Sequence, residues 1–372
     1  MKLSISLLAS VLSFTILWLG CSDEPNAVGL GILPPQDSLH IDSAVVSATS
    51  DVTFLKRIRS TATTLLLGRD QGLEGRTMLY FAGLSSIPAT ATLDSATLSL
   101  RVNYRFKDSS GTLGFEVRKM KTSFLQNTYT WDSLAVPGAF SDTVSGTFLK
   151  NITPLDSTLI ARVDTTLIRQ FMLSDNGSVV LLPSANIVVG VVNNLATLKV
   201  YYHNGDTTAR TSSFLPTVGA YVADGSIPAT PSSIILQAGL VQRGIVRFDS
   251  LAIPRQASIT QAFLEVAIDT TSSLTNSYSN KTLLAFLLRG TTAPYDSVAL
   301  GTVCTQSYRG NQLIFRANVK SIVQQWLTRE PNYGIVLRTA GEFTSFDRFV
   351  LHSSSAPAGL RPRLNITYTL LP

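Results

Sequence analysis

The chain of 372 residues holds two cysteines, Cys21 and Cys304, so no network of disulfides can frame it and stability has to come from buried cores. Its three histidines, His40, His203 and His352, lie far apart and share no His-x-x-x-His spacing, which argues against zinc. Glutamates number six and are dispersed, so the carboxylate pair that a glycosidase sets across its cleft cannot be picked out. No Gly-x-Ser-x-Gly elbow and no Gly-rich phosphate fingerprint occurs. Charged residues make up only 15% of the chain, and the net charge of +6 is scattered, with no basic run longer than a pair such as Lys56-Arg57. Nucleic-acid binding asks for a concentrated basic stripe, so no such partner is expected. These absences leave a non-catalytic protein without a cofactor as the expectation.

What is present begins with an address. Lys2 is followed by an apolar stretch from Leu3 to Leu19, relieved only by small and hydroxyl residues, and then by Gly20-Cys21. Residues 1–20 read as a secretory signal with a cysteine at the cleavage point, too short for a plain membrane anchor. Trp18-Leu19-Gly20-Cys21 resembles the bacterial lipobox, with Trp18 where leucine is usual. The resemblance implies acyl chains on Cys21 and a lipid membrane as the first partner. Ser22-Asp23-Glu24 resembles the acidic export signal of Bacteroidota surface lipoproteins. The expected location is therefore the outer membrane, lipid-anchored at the cell surface, with its periplasmic face as the alternative. Residues 21–38, including Pro34-Pro35, read as a tether.

The rest of the chain is written twice. "IPATATLDSATLSL" from Ile87 matches "IPRQASITQAFLEV" from Ile253 at an offset of 166, and Leu198-Lys-Val-Tyr-Tyr202 matches Leu364-Asn-Ile-Thr-Tyr368 at the same offset. Within each copy the hydrophobic period is two: Leu98, Leu100 and Val102 alternate with Thr97, Ser99 and Arg101, and Leu264, Val266 and Ile268 do likewise. Such alternation marks antiparallel strands with one face in a core, and turn residues such as Asp108-Ser-Ser-Gly111 and Asn204-Gly205 punctuate them. The expected fold is all-β, two tandem antiparallel β-sandwiches of jelly-roll type, over residues 39–206 and 207–372. One segment per copy changes period. Val319, Ile322, Val323 and Trp326, and their counterparts Val163, Leu167, Ile168 and Phe171, form single helical stripes, so each sandwich should carry one short helix.

Arg247-Phe248, Ile253-Pro254, Trp326, Asn332-Tyr333-Gly334-Ile335 and Arg361-Pro362-Arg363-Leu364 together resemble the DNRLRE domain of secreted and surface-bound bacterial proteins. The first copy departs from the pattern, with Phe171 for the tryptophan and Asp175-Asn176-Gly177 for the Pro-Asn-Tyr-Gly turn. The resemblance implies a carbohydrate-binding-module-like sandwich and extracellular attachment, with polysaccharide as the leading ligand class. The alternative is a structural, adhesive or assembly component that docks an envelope protein.

Sugar binding uses aromatic faces flanked by polar groups, and the aromatics not obviously on a core face are Tyr129, Trp131, Tyr295 and Tyr308. Trp131 and Tyr295 occupy equivalent positions, which equally suits a capping role. Arg69, Arg105 and Arg118 are candidate partners for an acidic polysaccharide, or ordinary solvated residues. A structural calcium would look to Asp70, Asp108 and Asp347, although no Asp-x-Asp-x-Asp spacing supports it. Eleven of eighteen aspartates precede Ser or Thr and then an apolar residue or Thr. That triplet resembles an O-glycosylation site of exported Bacteroidota proteins and equally suits a side-chain-closed turn.

Overall fold

The computed structural model describes residues 40–370 except 57–59, 109, 175, 226–231, 294 and 296. The expected signal segment, the tether and Cys21 lie outside the described residues. The chain opens with β1 (His40–Ser47) and β2 (Ser50–Leu55), then runs through β3 (Thr64–Asp70), β4 (Leu73–Phe81), β5 (Thr92–Arg105), β6 (Gly111–Met120), β7 (Phe140–Ile152), β8 (Thr158–Val163), β9 (Gly177–Pro183) and β10 (Val188–Val192). Hydrogen bonding links these as β10-β3-β4-β9-β6-β7-β8-β5, and β5 returns to β10, so eight strands close into a barrel-like sandwich.

After β11 (Thr197–His203), β12 (Arg210–Phe214) and β13 (Pro216–Gly225), the second copy supplies β14 (Ser233–Gln237), β15 (Gln242–Arg247), β16 (Ser258–Leu274), β17 (Leu283–Leu288), β18 (Ser297–Arg309), β19 (Gln312–Asn318), β20 (Ile335–Thr339), β21 (Arg348–His352) and β22 (Arg363–Leu370). Their order, β21-β14-β15-β20-β17-β18-β19-β16 and back to β21, repeats the first strand for strand. The fold is all-β, with two antiparallel units, as the alternation requires. Along β5 the inward set Ala96, Leu98 and Leu100 lies in the first core, and along β16 Ala262, Leu264 and Val266 lie in the second.

The chain does not divide cleanly between residues 206 and 207. β1 lies antiparallel along β22, from His40 opposite Leu370 to Ser47 opposite Arg363, and β2 lies along β15. The first copy's opening strands therefore belong to the second barrel. Reciprocally, β12 lies along β11 and β13 along β4, so the second copy's opening strands complete the first barrel. The physical reason is edge pairing. β3 and β4 pair only beside their turn, from Gly68–Gly75 to Asp70–Leu73, and β14 and β15 only at Gln237–Gln242. Beyond those turns β4 and β15 need another strand to meet their backbone groups.

Helices α1 (Trp131–Ala135), α2 (Thr165–Ser174) and α3 (Lys320–Thr328) complete the fold. The latter two are the helical stripes: α2 buries Leu167, Ile168 and Phe171, and α3 buries Ile322 and Val323, with the Trp326 ring tilted against Phe248 at 6.5 Å. The first copy also carries α1, which Thr130 and Ser133 start with a capping box. Cys304 is buried in the second core, and burial pushes its thiol up to about 12, so it behaves as a small apolar side chain.

The two barrels are joined by a shared core. Phe346, in the loop between β20 and β21, belongs to the first barrel's cluster with Leu240, and its ring meets Phe106 edge-on at 6.5 Å. The Tyr104 hydroxyl donates to Asp347 Oδ1 at 3.0 Å and accepts from the Phe346 N–H, while the Tyr221 hydroxyl donates to the Phe343 carbonyl. The loop itself is held by a buried two-pronged pair, Arg243 Nε to Glu342 Oε1 at 2.7 Å and Nη2 to Oε2 at 2.8 Å.

Candidate functional site

The four aromatics nominated from the sequence divide sharply. Tyr129 is buried in a small satellite core with Met120, Phe124 and Leu134, and that burial raises its phenol and withdraws it as a stacking face. Trp131 starts α1, and the Arg76 guanidinium sits over its ring at 4.2 Å. Tyr295 packs on Phe54 of β2 with ring centroids 4.9 Å apart. Trp131 and Tyr295 thus hold equivalent posts: the first packs on the cluster containing Ala220 and Val222 of β13, the second on Phe54 of β2. Each clamps the strand that its barrel receives from the other copy. Tyr308, on β18, is 71% exposed and keeps a free face.

The nominated ions and arginines separate too. Asp70 pairs with Lys107 Nζ at 2.7 Å, and Asp347 is tied to Tyr104 and to the Asn276 N–H at the barrel junction. The Asp108 side chain lies outside what is described. Among the described residues no three His, Cys, Asp or Glu side chains gather as a metal ion would require. Arg69 is paired with Glu74 and Arg118 with Glu116. Arg105 differs: it is 8% exposed, its Nη2 donates to the Asp156 carbonyl, and its Nη1 has no hydrogen-bond partner among the described residues.

Arg105 lines a cleft of about 420 Å³, a size that suits a small ligand or one or two sugar units. The end of β5 supplies Asn103, Tyr104 and Arg105, the β7–β8 loop supplies Ser157, and the segment after β16 supplies Asn276 and Tyr278. The cleft therefore lies where both barrels meet, and it exists only because the copies pack together. Asn276 fixes its floor: its Nδ2 donates to the Arg105 carbonyl and its Oδ1 accepts the Tyr278 N–H at 2.8 Å. Tyr278 stands at the mouth, 94% exposed. Burial lowers the Arg105 pKa, a direction offset in part by nearby Asp156. The walls thus combine a largely buried arginine, amide and hydroxyl groups, and an open aromatic face.

Tyr278 was not a sequence candidate, although the signal was there. It is a lone aromatic in Asn276-Ser-Tyr-Ser-Asn280, a polar loop with no period to bury it. Arg105 was nominated, but nothing local distinguishes it from Arg69 or Arg118.

No family model matches the chain, and no curated protein matches it. Among solved structures the chain is aligned with a chain of T=1 particles derived from infectious bursal virus, at 12% identity over 91% of this chain and 76% of that one. The TM-score of 0.10 is too low for the alignment to carry an argument.

Proposed function

We propose that the chain is a non-catalytic lipoprotein of the bacterial cell envelope, anchored through Cys21, whose paired barrels bind extracellular polysaccharide. The observation that carries this reading is the junction cleft, whose polar lining of Asn103, Arg105, Ser157 and Asn276 is joined by the exposed Tyr278. An open tyrosine face stacks on the apolar side of a pyranose ring, and the guanidinium and amides meet hydroxyl or carboxylate oxygens. Its walls present donors and an aromatic rather than two facing carboxylates, which fits binding better than hydrolysis. The DNRLRE resemblance, the signal segment and the acidic residues after Cys21 support the same reading.

The test is a glycan array probed with the soluble chain from residue 36 onward. Tyr278→Ala, a change at an exposed position, lowers affinity for the bound glycan by about tenfold, the loss of one stacking contact. Tyr308→Ala leaves it unchanged. Binding that follows Tyr308 instead would place the site on β18, and silence across the array would remove polysaccharide as the ligand.

A second reading, docking of an envelope protein, has its own observation. β1 is an edge strand in its sheet, and Ile41 and Val45 on it are 67% and 66% exposed. An open edge with apolar side chains suits strand addition.

A further inference from the structure

The crossed opening strands carry a consequence for association. The hydrogen bonds of β1 and β2 run to the second barrel: Ala48 N–H to Pro362 O at 2.8 Å, Thr49 N–H to Arg247 O at 2.9 Å, the Tyr368 hydroxyl to Asp42 Oδ2 at 3.0 Å, and the Ser354 N–H to Asp51 Oδ1 at 2.7 Å. Phe54 fills an apolar socket beside Tyr295, Phe286 and Val336. From there the chain reaches the first barrel through residues 56–63 alone, in which Lys56 still bonds to Val241 of the second barrel and Ser60 bridges to Tyr221 of the first. The ring of the second barrel closes through its own eight strands, so β1–β2 is an addition to a formed acceptor rather than a member of the ring.

The same contact is made once more within the molecule. β12–β13 occupies on β11 and β4 the place that β1–β2 occupies on β22 and β15. An opening pair placed on the barrel of the copy before it is a head-to-tail contact, and such a contact propagates unless the chain closes on itself. Here one chain closes it, because its first strands return to its last barrel.

We propose that β1–β2 is an exchangeable closing pair. The edges of β15 and β22, with the Tyr295 socket, then form an acceptor that takes β1–β2 from a second copy of this chain. Closed monomers and strand-exchanged assemblies share the same pairing, so the balance between them is set by residues 56–63 and by concentration.

Two experiments on the full-length chain decide it. Deleting Arg57–Arg59 shortens the path that lets a chain seal its own second barrel. The variant should show, by light scattering, a mass of two or more chains that grows with concentration, above that of the native chain. If both remain monomeric at every concentration, the proposal fails. A second readout covers a variant that does not fold. With a protease site placed between Lys56 and Ser60 of the otherwise native chain, the amino-terminal fragment should stay bound after cleavage and be replaced by a labelled synthetic peptide of residues 40–56. Immediate release of the fragment, or refusal of the peptide, overturns the proposal. Neither result bears on the cleft, whose glycan binding is read separately.

Discussion

Arg69, Arg105 and Arg118 look alike in the sequence, and the fold separates them by what lies within reach. Two meet a glutamate two or five residues away in the chain, Arg118 with Glu116 and Arg69 with Glu74, and the third is enclosed at a junction that no local pattern announces. Three of the aspartate triplets also find their partners locally. Asp164, Asp206 and Asp269 each accept the N–H two residues on, the side-chain-closed turn that the triplet allows. Asp269 goes furthest, also accepting from the Thr271 hydroxyl at 2.6 Å and the Ser272 N–H. These bonds, that of Thr271 first, hold its carboxyl at about 2, against roughly 3.9 in an unfolded chain. A depressed acid stabilises the fold fully above the unfolded value, and that share is lost as pH falls through the folded one. Because the group is partly exposed, its share is about 1 kcal/mol after screening. Urea unfolding between about pH 5 and about pH 2 should therefore cost the native chain about 1 kcal/mol more than Asp269→Asn, and equal slopes would refute the assignment.

At the scale of elements, the strands with period two and the helical stripes of α2 and α3 are readable because each buries one face against one core. The strands that escape this reading are uninterrupted apolar runs, such as Leu65-Leu66-Leu67, Ile234-Ile235-Leu236 and Phe349-Val350-Leu351, all buried. A strand covered on both faces has no alternation to read. The crossing of the opening pairs is invisible for a different reason. The two pairs are equivalent parts of a duplication, so either acceptor presents nearly the same edge and the sequence does not choose between them. The β14–β15 turn shows what the second barrel brings to the first. Gly239 has φ +76, and a Cβ there would lie about 2.1 Å from Cδ1 of the Phe346 ring. Gly239→Ala therefore combines backbone strain with a clash at the shared core, and a loss of about 2–4 kcal/mol in denaturant unfolding is expected. A neutral result would mean that the loop carrying Phe346 is free to move away.

The molecule as a whole is two barrels that do not end where their cores end. Phe346 and Leu240 lie in the first barrel's cluster, while Tyr104, Phe106 and Tyr221 reach toward the second. Unfolding should therefore be one coupled transition in calorimetry. Phe346→Ala opens a cavity at the joint at a cost of about 3–5 kcal/mol and should split the trace or shift its first part to lower temperature. A variant trace that superimposes on the native one would show the joint to be idle. The sequence displays the two copies but not their joint, because a duplication records what the copies share, and the residues that join them are where they differ.

The pairing of β1 with β22 also sets a timetable. Asp42 and Tyr368 are 326 residues apart along the chain, close to its whole described length. A ribosome or a translocon delivers β1 first and β22 last, so the earliest strand waits for its neighbour until synthesis is nearly finished, while the strands of the first barrel, from Thr64 to Gly225, are all present midway and lack only Leu240 and Phe346 of their core. Throughout that interval Ala44, Val46 and Phe54, which pack on the second barrel in the finished fold, travel without a partner, and they are the natural hold for whatever escorts the nascent chain.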